Sequence, residues 1–358
     1  MAEIPGSMLA AVYEGNQTVV VRQIPTPQIG HGELLVRVES CGICHTDLKK
    51  IQYDLLPGPR IYGHETAGVV VAVGAGVKRF QPGDRIVAFH HIPCLDCFYC
   101  HRKLYAQCPT YKRVGITAGF EPAGGGFAQY VRVMDWIVER GVELIPAHVT
   151  FDEAAFVEPV NTCLKAVRLL NPQPGDTAAV LGQGPIGLIF TRLLARAGCS
   201  VFVTDTIDSR RKLALSFGAQ QAWDPQNPQL KESILLQTEG RGCDIVVIAA
   251  SAPGIIEQGV RLSRPGAKIL LFSQTSEKER IEVSGADICV GERVLVGSYS
   301  ASVDLQREAA ELVFSGAIPV QQLITHRIPL DQIQSGIELA VRPNRESLKI
   351  IVQPQRLS

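Results

Sequence analysis

Cys94-x2-Cys97-x2-Cys100-x7-Cys108 places four thiols within fifteen positions. Four thiolates on a tight loop make a closed tetrahedral sulfur site, which is the preference of structural zinc; an iron–sulfur cluster uses related spacings and stays as the alternative. A second set is dispersed: Cys44 within Cys41-Gly42-Ile43-Cys44-His45-Thr46-Asp47, the pair His64-Glu65 after Gly63, and Glu158 before Pro159. Mixed thiol, imidazole and carboxylate ligands suit a catalytic zinc, which takes about three protein ligands and keeps one position open. Each piece alone carries little, because a lone histidine is more often a hydrogen-bonded core or surface residue, and Cys41 with Cys44 could be buried thiols.

Gly182-x-Gly184-x-x-Gly187 is the third signal, with Pro185 and Ile186 inside it. It follows a strand candidate, opens a helix, and is succeeded by Asp205 about 20 residues on, the context that separates a dinucleotide site from a chance match. Glycines let the backbone approach a pyrophosphate at the helix N-terminus, and Asp205 can accept the ribose hydroxyls while repelling a 2′-phosphate. NAD is therefore favoured over NADP, with Arg210 and Arg211 keeping NADP open.

These groups need elements to hold them. Up to about residue 155 the chain is rich in short Val and Ile runs punctuated by Gly and Pro, such as Leu34 to Val38 and Gly68 to Gly74, which predicts a mainly antiparallel or barrel-like domain. After the turn cluster Asn171 to Asp176 the texture alternates. Strands at Ala178 to Leu181, Ser200 to Thr204, Asp244 to Ala249, Lys268 to Phe272 and Val294 to Ser298 are separated by helices at Pro185 to Ala197, Asp208 to Phe217 and after Pro253. That alternation predicts a parallel doubly wound sheet. Helices around Leu305 to Phe314 and Leu330 to Ala340 precede the strand Lys349 to Val352, which must find partners in the first domain.

The whole composition fits this reading. With 358 residues, two domains are expected. Lys plus Arg number 35 and Asp plus Glu 35, so no basic excess points to nucleic acid, and the stretch Glu277 to Arg280 mixes both signs. No apolar run approaches a membrane span and the N-terminus has no signal-peptide pattern, so a cytoplasmic protein is expected. A reducing compartment favours metal ligands or free thiols over disulfides for the ten cysteines; Cys163, Cys199, Cys243 and Cys289, scattered singly, are expected to be small buried hydrophobes.

Gly63-His64-Glu65-x2-Gly68-x5-Gly74-x2-Val77, the four-cysteine lobe, the Gly-rich turn and Asp205, in that order, resemble the zinc-containing medium-chain alcohol dehydrogenases over essentially the full length. The Glu158-Pro159 pair is similar to the sorbitol and polyol dehydrogenase branch. The resemblance implies an α/β chain with a GroES-like β-rich catalytic domain from residues 1–155 and 295–358, carrying a structural zinc lobe at 94–108, and an inserted Rossmann domain at 156–294. It implies two zinc ions per chain, with Cys44, His64, Glu65 and Glu158 around the catalytic one and the two glutamates exchanging between direct and water-mediated contact. Thr46 matches the hydroxyl that bonds the substrate oxygen and passes on its proton, and Thr162 a residue near the nicotinamide. Further cofactor contacts are implied after later strands: Ala249 to Ser251, Phe272 to Gln274 with Ser273, and Gly297 to Tyr299 with Ser298. The implied activity is reversible, NAD-linked oxidation of a small uncharged secondary alcohol or polyol to a ketone; primary alcohol oxidation and a non-catalytic nucleotide binder are the alternatives, with the loop Val114 to Phe127 among the determinants of specificity. A homo-oligomer, dimer or tetramer, is also implied. One departure stands out: where the family often ends its proton path with histidine, this chain has Lys49, whose ordinary pKa of about 10.4 would leave it protonated.

Overall fold

The computed structural model describes residues 3–111, 124–273 and 280–358. Residues 114–123, Gln274 and 277–279, all singled out above, lie outside the described residues. The chain divides into two compact units, Met1–Asn161 with Ala301–Ser358, and Thr162–Ser300. Both junctions fall a few residues after positions 155 and 295, so Glu158 belongs to the first unit and not to the inserted one.

The first unit opens with β1 (Ser7–Gly15), β2 (Thr18–Pro25), β3 (Leu34–Gly42), β4 (Arg60–Ile61), β5 (Glu65–Val73), β6 (Arg85–Ala88), β7 (Tyr130–Val133) and β8 (Val142–Leu144). The second unit contributes β9 (Thr177–Leu181), β10 (Ser200–Thr204), β11 (Ala219–Trp223), β12 (Cys243–Ile248), β13 (Ser263–Leu271) and β14 (Val294–Gly297). β15 (Ile324–Pro329) and β16 (Lys349–Gln353) then return to the first.

In the first unit a seven-stranded sheet runs β15-β16-β3-β5-β6-β8 with β7 also paired to β3, beside a smaller sheet β2-β1-β4. Val36, Val38, Val70, Ile86 and Val131 bury one continuous apolar face against Tyr13, Phe127 and the C-terminal Ile350 and Val352. At about 25 cal/mol per Å² of apolar surface removed from water, such burial is the main force closing the sheet. β16 pairs antiparallel with β3 through Ile351↔Gly42 and Val352↔Cys41, so the C-terminal strand finds its partner in the first domain.

The second unit is a six-stranded sheet of order β11-β10-β9-β12-β13-β14, all parallel. Numbered from its own first strand this is 3-2-1-4-5-6, the doubly wound order whose switch point lies beside the first strand. β9 and β12 sit centrally and read Thr-Ala-Ala-Val-Leu and Cys-Asp-Ile-Val-Val-Ile, near-continuous apolar runs as burial on both faces requires. β11 and the helix Leu230–Gln237 are absent from the sequence reading. β11 is Ala-Gln-Gln-Ala-Trp, half-exposed at the sheet edge, and so carries too little apolar pattern to be seen.

Candidate functional site

The pairing Gly42↔Glu65 between β3 and β5 determines where the dispersed ligand candidates meet. β3 ends where β5 begins, so the residues just beyond, Cys44 on one strand and His64 on the other, become neighbours although twenty positions separate them. Ligand atoms of Cys44, His64 and Glu65 all lie within 4.8 Å of one another, and His64 and Glu65 are buried. Cys44 is the N-cap of the helix His45–Gln52, with its carbonyl accepting from the Asp47 and Leu48 amides at 3.0 and 3.2 Å.

One turn along that helix the fully buried Asp47 places Oδ1 3.0 Å from His64 Nδ1. With Nδ1 donating to this carboxylate, Nε2 is the ring nitrogen left for a metal, the carboxylate–histidine arrangement of metal centres. Burial alone would push the imidazole pKa down, but Asp47 and the Cys44 sulfur push it well above its ordinary value. Burial would raise the Asp47 carboxyl, and His64 outweighs it to hold the pKa below the ordinary value. Asp47 was missed as a site residue in the sequence; its spacing of three from Cys44 at a helix start was the available signal.

Glu158 comes from a different element. It is half-buried on the helix Val157–Leu170, with Oε1 3.6 Å from Nε2 of the buried His90, whose ring centroid is 5.6 Å from that of His64. The two glutamates that the sequence treats as interchangeable thus sit on different elements, Glu65 on β5 and Glu158 on this helix. Glu65 is in the ligand cluster, and its Oε2 pairs with the buried Lys349. Thr46 and Lys49 are half-buried on the same helix as Asp47, Lys49 in its last turn.

In the lobe, Cys94, Cys97, Cys100 and Cys108 also lie with all sulfurs within 4.8 Å. Individual separations are 3.5 Å (Cys94 to Cys108), 3.6 Å (Cys97 to Cys100) and 3.9 Å (Cys94 to Cys100). Four sulfurs at about 2.3 Å from a central zinc stand about 3.8 Å apart, so these residues fit that ion. Burial raises the Cys108 thiol, but the Cys94 amide at 3.3 Å and Thr110 outweigh it and draw the pKa down to about 6; burial pushes Cys100 up to about 12. Of the other cysteines, Cys41, Cys163, Cys199 and Cys243 are buried as expected of packing thiols, but Cys289 is exposed.

In the second unit the Gly-rich turn joins β9 to the helix Pro185–Arg196. A side chain on Gly187 would put its Cβ 1.8 Å from the Gly182 carbonyl oxygen, so that glycine is required for the tight turn. At Gly184 a Cβ would meet nothing within 4 Å, and this residue caps the helix with no side-chain hydrogen bond. An open approach to uncapped amides fits a phosphate group. Asp205, at the end of β10, accepts from the Gln183 amide with Oδ2 (2.7 Å) and from the Ile207 amide with Oδ1 (2.8 Å). Each oxygen keeps lone-pair capacity for a hydroxyl donor. Arg211 is committed to the Asp205 carbonyl (2.6 Å), Asp208 (3.3 Å) and Asp224 (3.4 Å), while Arg210 is half-buried. Ser273 pairs with Ser251 beyond β13 and β12, and the buried Ser298 Oγ follows β14. Thr162 is half-buried at the first position of this unit.

Two family models match the chain: the alcohol dehydrogenase GroES-like domain over residues 30–141 and the zinc-binding dehydrogenase over residues 185–315. A sorbitol dehydrogenase of Bacillus subtilis is 29% identical over 359 residues, covering 99% of each chain. An L-threonine 3-dehydrogenase of Symbiobacterium thermophilum is 30% identical over 95% of this chain and 96% of its own. Among solved structures, one described as a zinc-binding dehydrogenase of Sinorhizobium meliloti, bound to NADP, superposes with a TM-score of 0.88 at 31% identity, over 98% of this chain and 100% of that one. With both domain models in order, and relatives of 30% identity or more spanning nearly all of both chains, this chain belongs to the zinc-containing medium-chain alcohol dehydrogenase family.

Proposed function

We propose that the chain is a zinc-dependent dehydrogenase that oxidises a secondary alcohol or polyol to a ketone, reversibly, with NAD as acceptor. The observation that carries this reading is the convergence of Cys44, His64 and Glu65 at the adjoining ends of β3 and β5. Three protein ligands of mixed type match a catalytic zinc with an open position. A zinc ion there would supply Lewis acidity toward a substrate hydroxyl, and a nicotinamide would supply the hydride acceptor. The first unit is then the catalytic domain and the second the cofactor domain.

The chain's own residues divide the remaining work. Asp47 orients His64, and Thr46 on the same helix start accepts the hydrogen bond of the substrate hydroxyl and hands its proton onward. Glu158, against His90, is the carboxylate that would act through water. Gly182, Gly184, Pro185, Ile186 and Gly187 form the phosphate cradle, Asp205 holds the adenosine ribose, and Thr162, Arg210, Ser273 and Ser298 complete the cofactor contacts. The commitment of Arg211 to three acidic or carbonyl partners supports NAD over NADP, although the Sinorhizobium relative binds NADP. The secondary-alcohol reading is supported by the relatives: carbon 3 of threonine bears a secondary hydroxyl, and sorbitol is a polyol.

The lobe cysteines hold a second, structural zinc in this reading, and so many free thiols fit a cytoplasmic enzyme. Among the described residues no helix is long and apolar enough to cross a membrane. Half-exposed β14 at the sheet edge supports a homo-oligomer. A substrate panel of sorbitol, xylitol, 2,3-butanediol, L-threonine and ethanol, each with NAD and NADP, tests the assignment through absorbance of the reduced cofactor. Faster turnover of a secondary alcohol with NAD is expected. Preference for ethanol would replace the reading with primary alcohol oxidation, and bound cofactor without turnover of any substrate would replace it with a nucleotide-binding protein.

A further inference from the structure

Lys349 stands out as a lysine inside an apolar strand, Lys-Ile-Ile-Val-Gln, and it is buried. A buried ammonium is costly unless paired. Its partner is Glu65, the carboxylate in the ligand cluster, and the side chains of the two are 8% and 2% exposed.

The sheet register explains how they meet. Ile351 of β16 lies opposite Gly42 of β3, and Gly42 lies opposite Glu65 of β5. Paired residues share a face, and so does Lys349, two positions before Ile351. Ile43 N donates to Ile350 O at 3.0 Å, so the same register carries Lys349 alongside Cys44. Lys349 and Glu65 thus belong to strands separated by the whole width of β3, on the order of 10 Å. Only a long side chain crosses that width, and only over a residue without a side chain. Gly42 is that residue: a Cβ there would fall 1.9 Å from Glu65 Oε2 and 2.7 Å from Lys349 Cε. The Phe156 ring, 5.9 Å from Nζ, faces the ammonium as well.

We propose that Lys349 is a positioning residue of the metal centre: reaching over Gly42 from the C-terminal strand, it fixes the Glu65 carboxylate in the ligand cluster and adds one positive charge behind it. The inference rests on the reading of Cys44, His64 and Glu65 as zinc ligands. With the Asp47 carboxylate behind His64, a thiolate and two carboxylates around a zinc dication leave one negative charge, which Lys349 balances. It also makes the last strand, some 280 residues from Glu65 in the chain, part of the metal site.

The test uses the full-length zinc-loaded protein and measures zinc per chain, zinc affinity by chelator competition, and the visible spectrum after cobalt substitution at the catalytic site. Lys349→Met is expected to weaken the less tightly held zinc roughly 10- to 100-fold, the usual scale for losing a group behind a metal ligand, and to shift the cobalt bands, with the second zinc unchanged. Lys349→Arg, which restores the charge, should return affinity most of the way. Lys349→Gln, polar but uncharged, should weaken zinc as Lys349→Met does. Folding of each variant is verified by retention of the lobe zinc; should Lys349→Met not fold, Lys349→Gln and Lys349→Arg decide the matter. Unchanged affinity and unchanged cobalt bands in Lys349→Met or Lys349→Gln overturn the proposal while leaving the ligand reading intact. Two zinc ions retained in Cys44→Ser overturn both.

Discussion

At the scale of single residues, the chemistry is concentrated on one helix start. Cys44, Thr46, Asp47 and Lys49 fall within six positions, and Asp47 faces inward to His64. The assignment of Thr46 to proton transfer predicts that Thr46→Ala lowers kcat by about 10²- to 10⁴-fold, the range of positioned proton transfer, with a much smaller change in KM. Steady-state kinetics check this, and turnover equal to wild type would end the assignment. Lys49 is not expected to be the proton acceptor, so Lys49→Ala should alter the pH profile only modestly. The candidate ligands and the Gly-rich turn were legible in the sequence because the types and spacing of such residues are constrained by the groups they suit. Asp47 and Lys349 were not, because a carboxylate behind a histidine and a lysine behind a glutamate become meaningful only once the distance between them is known.

At the scale of elements, partly buried polar contacts tie strands that are far apart in the chain. Asp244 at the start of β12 accepts from Thr177 N and Oγ1 of β9, both 2.7 Å, with Oδ2, and from Arg264 Nε at 2.5 Å with Oδ1. Burial raises its carboxyl pKa, but the Thr177 bonds and Arg264 together hold it below the ordinary value. A carboxyl whose pKa is depressed by folding stabilises the protein above its unfolded pKa of about 3.9, and that contribution is lost as pH falls through the folded value. Asp244→Asn should therefore destabilise at pH 7 by about 1–3 kcal/mol, with the difference from wild type narrowing below pH 4. Calorimetric unfolding at both pH values checks the sign; a gap that widened in acid would contradict it. Strands with uninterrupted apolar runs, such as β9 and β12, were legible from the sequence. Edge strand β11 was not, because an edge buries little and its pattern is set by its neighbour.

At the scale of the whole molecule, the chain crosses between its two units twice, near Asn161 and near Ala301. Asn161, fully buried, clasps the returning chain: Nδ2 donates to Ser302 O (3.0 Å) and Gln306 Oε1 (3.1 Å), and Oδ1 accepts from Ser302 N (2.9 Å). Within the second unit, Lys165 Nζ donates to the Tyr299 and Ser300 carbonyls at 2.7 and 3.3 Å. Both crossings are thus stapled by side chains that follow Glu158 closely. Asn161→Ala strands the Ser302 amide, while the Ser302 carbonyl keeps the Leu305 amide at 3.1 Å, and should cost about 1–3 kcal/mol for the buried donor left unpaired. Faster amide exchange at Ser302 and a lower melting temperature are expected; unaltered exchange would show that the clasp holds nothing. By itself the sequence determined the metal and nucleotide chemistry, the alternating parallel sheet and the return of the last strand, because ligand spacing and apolar periodicity are local properties of a chain. Only the tertiary structure decided that Glu65 lies with Cys44 and His64, that Asp47 and Lys349 stand behind them, and that the crossings lie at Asn161 and Ala301. Those outcomes depend on strand register, and register brings together residues whose separation in the sequence carries no sign of their contact.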